Sequence, residues 1–120
     1  MDINALIERI KQGPDSEKVG MILCHQGVVR STSRLGRAVR GLRVEVDRDR
    51  LDRVLAQARQ RQGIVEVLVQ INAGRDLHVG DPVMALVVAG DIRENVISAL
   101  SATLDAIKSE VTRKTEFFVD

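Results

Sequence analysis

Arg93, Lys108 and Lys114 have the types and spacing that would suit contact with a small anion: Arg93 opens an amphipathic segment, Lys108 lies near its end and Lys114 follows shortly after. Of the 18 basic residues only four are lysines (Lys11, Lys18, Lys108 and Lys114), and two of the four fall in this short stretch. Arginine is the default cation of the chain, so lysine here is informative. An ammonium is a compact, mobile point charge whose pKa responds to burial, which suits a developing charge or a proton transfer better than a planar guanidinium does.

Arg30 ends an apolar run and opens a polar loop, a position from which side chains often reach a cleft. Arg34, Arg37, Arg40 and Arg43 recur every third residue, and the spacing reads first as a solvated face. Cys24 and His25 are neighbours, but adjacent strand residues point to opposite faces and cannot pair as nucleophile and base. Cys24 is expected to pack as a small buried hydrophobe. Neither His25 nor His78 has a second ligand at metal spacing, and no glycine cluster matches a phosphate loop, so neither a metal nor a cofactor is implied.

The wider composition excludes several classes. A net charge of +1 lacks the basic excess of nucleic-acid or membrane-surface proteins, and the only two aromatic residues, Phe117 and Phe118, make a poor stacking platform. No apolar run approaches the ~20 residues of a membrane span, and MDINALIERIKQG reads as a helix, not a signal peptide. A single cysteine forms no internal disulfide, which agrees with a reducing compartment; a cytoplasmic protein is expected. At 120 residues, the span 1–120 is expected to be one domain.

The elements that must position these residues follow from periodicity. Asp2 caps a helix with Ile3, Leu6, Ile7 and Ile10 on one face, stopped by Gly13 and Pro14. Val19 to Arg30 reads as a largely buried strand, bent at Gly27, and Leu42, Val44 and Val46 alternate as a strand with one wet face. A second helix over 49–62 buries Leu51, Val54, Leu55 and Ala58, and Gly63 ends it. Ile64 to Ile71 is a strand, 72–82 a turn-rich connection, and the unbroken apolar run Val83 to Ala89 a central strand. Asp91 with Glu94 approximates a capping box for a third helix, with Val96, Ile97, Leu100, Leu104, Ile107 and Val111 inward. A short strand at Phe117 to Val119 completes an α+β fold with three helices and a mainly antiparallel sheet.

On one continuous helix, the fifteen residues between Arg93 and Lys108 put their backbones ~22 Å apart at 1.5 Å per residue. One small ligand cannot touch both in the same copy. Either they serve different purposes, or a twofold dimer brings Arg93 of one copy near Lys108 of the other.

The blocks GVVR (27–30), DLHVGDPV (76–83), GDIR (90–93) and LDAIKSEVTRKTE (104–116) resemble the catalytic large subunit of molybdopterin synthase, in order, over about Val19 to Glu116. The resemblance implies an α/β hammerhead type of fold, a homodimer, and a small ubiquitin-like subunit whose C-terminal Gly-Gly thiocarboxylate supplies sulfur. The substrate implied is cyclic pyranopterin monophosphate, a small anionic pterin, and the product molybdopterin; the chain would be a sulfurtransferase of molybdenum cofactor biosynthesis. By position the resemblance makes Lys108 and Lys114 catalytic and puts Arg30, Arg93 and Glu116 at the substrate. Ile92 stands where the family has histidine and Arg113 where it has tryptophan. These departures leave a second reading open, a non-catalytic relative that keeps the dimer and an anion-binding cleft for regulation or partner docking.

Overall fold

The computed structural model describes residues 1–120. In chain order the elements are helix α1 (Ile3–Lys11), strands β1 (Met21–Val28) and β2 (Val39–Val46), helix α2 (Arg48–Arg59), strands β3 (Ile64–Ile71), β4 (Asp76–His78) and β5 (Pro82–Gly90), helix α3 (Arg93–Ala106) and strand β6 (Thr112–Phe118). A π turn over Ile107–Val111 carries α3 into β6. The fold is α+β, with three helices and two antiparallel three-stranded sheets, ordered β1-β5-β3 and β4-β2-β6.

The apolar run of β5 sits at the centre of the first sheet because both of its faces are covered. On one side Leu6 and Ile10 of α1 pack on Leu68, Ala85, Val87 and Ala89. On the other, Leu51, Val54, Leu55 and Ala58 of α2 and Val96 and Ala99 of α3 pack on Val67, Met84, Leu86 and Val88. The second sheet has a smaller core of Val29, Leu42, Val44 and Leu77.

Caps account for two of the helix starts. Asp2 accepts from the Ala5 amide at 3.2 Å and Asp47 from that of Arg50 at 3.1 Å, each satisfying an otherwise orphaned donor. Helix α2 stops at Arg59, three residues before the expected end, and Gly63 takes a positive φ of 76° in the turn that follows.

Several expectations are corrected. Strand β1 is an edge strand whose outward residues Cys24, Gln26 and Val28 are exposed; α1 packs over β3 and β5 and reaches β1 only at Ile22. Cys24 is therefore exposed, not buried. The capping box is absent: Ile92 is the N-cap of α3, and Asp91 one residue earlier accepts from the Ile92 amide at 2.6 Å and the Asn95 side chain at 2.9 Å. The helix is also rotated, so that Ala99 and Thr103 are buried while Ile97 is 51% exposed. Finally, β6 begins five residues before Phe117, and a short β4 lies inside the expected turn region.

Candidate functional site

Where α3 ends, its π turn and the two sheets enclose a cleft of about 310 Å³. The floor is apolar, formed by Val44, Ile71, Val83, Met84 and Ile107. Arg34, Lys108 and Lys114 stand on the rim, with Thr112 between the two lysines in sequence. None of the three cations is ion-paired within the chain, whereas Arg43, Arg50, Arg59 and Arg93 are each engaged by a carboxylate. A larger cleft of about 540 Å³ is lined by Arg75 together with Asp76 and Asp81. Its two carboxylates oppose an anion. An all-cation rim over an apolar floor is the better setting for a planar molecule bearing negative charge, because attraction strengthens as water is displaced.

The backbone explains how the lysines meet. Ile107 is fully buried and anchors the π turn in the main core, which leaves Lys108, the next residue, exposed at the cleft. Such insertions in a helix are common at functional sites. Thr112 ties the turn down by donating its hydroxyl to the Ile107 carbonyl at 3.3 Å. Lys114 lies opposite Val44 in the β2–β6 register and so projects from the face that bears Val44.

The structure thus unites Lys108 and Lys114 but not the other three expected residues. Glu116 lies opposite Leu42, two residues beyond Lys114 on the same face of β6, half-buried and away from the cleft lining. Arg30 is exposed just beyond β1 and does not line the cleft. Arg93 begins α3 at the opposite end from Lys108; its side chain is 79% exposed and 3.3 Å from Glu94.

Two residues escaped the sequence reading. In the arginine series, Arg43 bonds to Glu45, Asp76 and the Gly74 carbonyl, Arg37 lies 3.9 Å over the Phe118 ring and Arg40 5.4 Å over that of Phe117. Arg34 alone of the four lines the cleft. Nothing in a spacing of three distinguishes it. His25 projects from the β1 face that α3 covers; partial burial and then the Lys108 charge hold its pKa below the ordinary 6.5. The signal was its phase, shared with Met21 and Leu23. Nowhere do three or more His, Cys, Asp or Glu side chains converge as a metal site would require.

Residues 1–110 match the family model described as MoaE protein. Among solved structures, the chain is similar to molybdopterin cofactor biosynthesis protein E from Burkholderia multivorans, at 25% identity and a TM-score of 0.76, covering 100% of this chain and 84% of that one. It is similar to molybdopterin synthase from Staphylococcus aureus at 20% identity and a TM-score of 0.73, over 87% and 78% of the respective chains. A third similar structure is a complex of subunits 1 and 2 of molybdopterin-converting factor from Helicobacter pylori, at 16% identity, TM-score 0.71, over 100% and 85%. No curated protein sequence matches.

Proposed function

We propose that this chain, which belongs to the MoaE protein family, is the catalytic large subunit of a molybdopterin synthase, acting in molybdenum cofactor biosynthesis. The observation that carries the chemistry is the union of Lys108 and Lys114 on one unpaired cationic rim. In this reading the span 1–120 is a single domain and the substrate is cyclic pyranopterin monophosphate. Sulfur arrives as the thiocarboxylate on the C-terminal Gly-Gly of a small ubiquitin-like subunit. The Helicobacter pylori complex of subunits 1 and 2 supports a two-subunit arrangement.

Each residue then has a chemical task. Lys114 and the arginines neutralise the cyclic phosphate, because charge-assisted hydrogen bonds are the strong ones in a partly dry cleft. Lys108 stabilises or protonates the species formed when sulfur adds, acting as a positioned charge. Arg30 and Glu116 lie outside the cleft lining, and a role for them at the substrate rests on the family resemblance alone. Arg93 cannot serve the Lys108 of its own copy from the far end of α3, so it serves the cleft of a second copy in a twofold dimer. Sedimentation at micromolar concentration is expected to give twice the 13.2 kDa chain mass; a monomer would remove the shared site.

The deciding experiment is conversion of cyclic pyranopterin monophosphate to molybdopterin by this chain with a thiocarboxylated small subunit. Cys24→Ser is expected to retain the full rate, because the sulfur comes from the partner's tail and Cys24 lies on the β1 face away from His25 and α3. A folded Cys24→Ser protein without activity would instead make Cys24 a sulfur carrier and overturn the mechanism.

A further inference from the structure

We infer that the arm formed by residues 31–39 is a docking element for the sulfur-carrying small subunit: Leu35 at its tip enters an apolar recess of that partner, and the arginines around it meet carboxylates on the rim of the recess. That such a carrier serves this chain rests on the function proposed above; the shape of the arm does not.

The arm is a rigid hairpin. Ser33 donates its amide to the Arg37 carbonyl at 2.8 Å and accepts at its own carbonyl from the Gly36 amide at 2.9 Å, while its hydroxyl accepts from the Arg37 amide at 3.1 Å. Gly36, with a φ of 89°, closes the three-residue loop without strain. Below it Thr32 pairs with Ala38, and the Val39 amide donates to the Ser31 carbonyl at 2.9 Å. Arg34 and Leu35 are thereby fixed at the tip, Arg34 on the rim of the cleft and Leu35 98% exposed. No other large apolar side chain exceeds 54% exposure. A knob already held in place loses little entropy when a partner covers it. At the foot of the arm, the Val29 amide donates to the Asp81 carbonyl at 3.0 Å and the Gly80 amide to the Val29 carbonyl at 2.8 Å, which brings the half-exposed Val28 and Val79 there as well. Three of the seven exposed large hydrophobic residues thus lie on the arm or at its foot, a clustering that marks an interaction surface.

Position and charge select the occupant. Leu35 does not line the cleft, although Arg34 beside it does, so a small molecule inside the cleft cannot cover the leucine. A carrier whose tail reaches Lys108 must rest its body on the rim, where the tip stands. Between Arg30 and Val44 there is no carboxylate, and Arg30, Arg34, Arg37 and Arg40 form no ion pair. The chain's only two aromatic rings hold two of these cations, Phe118 under Arg37 and Phe117 under Arg40, which leaves the guanidinium edges free to donate. The matching partner surface is apolar at its centre and acidic around it. A second copy offering the same arm would bring like charges together.

Calorimetric titration of this chain with the small subunit, its Gly-Gly tail left as the plain carboxylate, measures docking apart from chemistry. Leu35→Ser is expected to raise Kd about tenfold or more, the order for one leucine returned to water, and Leu35→Met to stay within about twofold. Thermal melts of both should match the parent, since so exposed a side chain holds nothing together. Raising salt from about 50 to about 500 mM should weaken the parent complex several-fold. With a thiocarboxylated small subunit, Leu35→Ser should raise KM for the carrier while kcat and KM for the pterin stay at the parent's values. If Leu35→Ser binds the carrier as the parent does, the docking role is wrong. Loss of the dimer in sedimentation with an unchanged carrier Kd would make the arm a contact between copies and overturn the proposal equally. A parent chain that binds the carrier but turns over no pterin would defeat the functional reading alone, and the Leu35→Ser titration would still decide the docking; a parent chain that does not bind the carrier would remove both.

Discussion

Lys108→Ala is expected to cut sulfur transfer by about 100-fold or more, the loss typical of a positioned charge aimed at a developing one. The side chain is exposed at the cleft and carries no ion pair within the chain, so its removal breaks no structural contact of consequence. Stability should stay within about 0.5 kcal/mol of the parent, as for most surface substitutions away from caps and special backbone. The matched control is Lys18→Ala, a lysine 3.4 Å from Asp15 in an exposed pair in the turn that follows α1. Steady-state rates with thiocarboxylated small subunit, measured beside thermal melts of each variant, separate the two effects. Equal turnover in the two alanine variants would reduce Lys108 to a surface cation and leave the cleft without its central group.

Ile107→Ala should do the reverse, acting first on the fold and through it on the site. Ile107 is fully buried in the main core, yet also forms part of the cleft floor immediately before Lys108. Removing its outer methyl and methylene groups leaves a cavity where the π turn is pinned, at a cost of about 2–5 kcal/mol. That is a large share of the roughly 5–15 kcal/mol a domain has in total. Urea unfolding gives the loss directly. Turnover below the melting range should fall as well, because Lys108 is displaced when its anchor loosens. A loss under about 1 kcal/mol would mean that β6 and α3 hold the turn without Ile107. Ile107→Val, which deletes a single methylene, should cost only about 0.5–1.5 kcal/mol and retain most of the rate.

The two substitutions act on adjacent residues of opposite burial, and this contrast shows how the chain divides its information. Local periodicity carried α1, α2 and β3 in the sequence itself, since a helix repeats its buried face every three to four residues and a strand every two. The run Val83 to Ala89 likewise declared a strand covered on both sides, and β5 is the centre of its sheet. Lys108 and Lys114 stood out because lysine is scarce here, and the structure brings both to one cleft.

The rest depended on contacts between distant segments. Alternation in β1 cannot say whether a helix covers its second face; α1 leaves Cys24 exposed, so an apolar composition misled. The residues TRKTEFF have no apolar alternation and become β6 because β2 offers an unpaired edge. In α3, Ala99 and Thr103 displace Ile97 from the core, since the face a helix buries is chosen by what it packs against, here α2 and β5. Arg34 reaches the Lys108 region only through the folding of the loop after β1 onto the cleft. Sequence alone determined which segments form most of the elements and where the unusual lysines lie, because periodicity and composition are properties of neighbours along the chain. Only the tertiary structure decided which cations share a cleft, because that is set by register and packing between segments far apart in sequence.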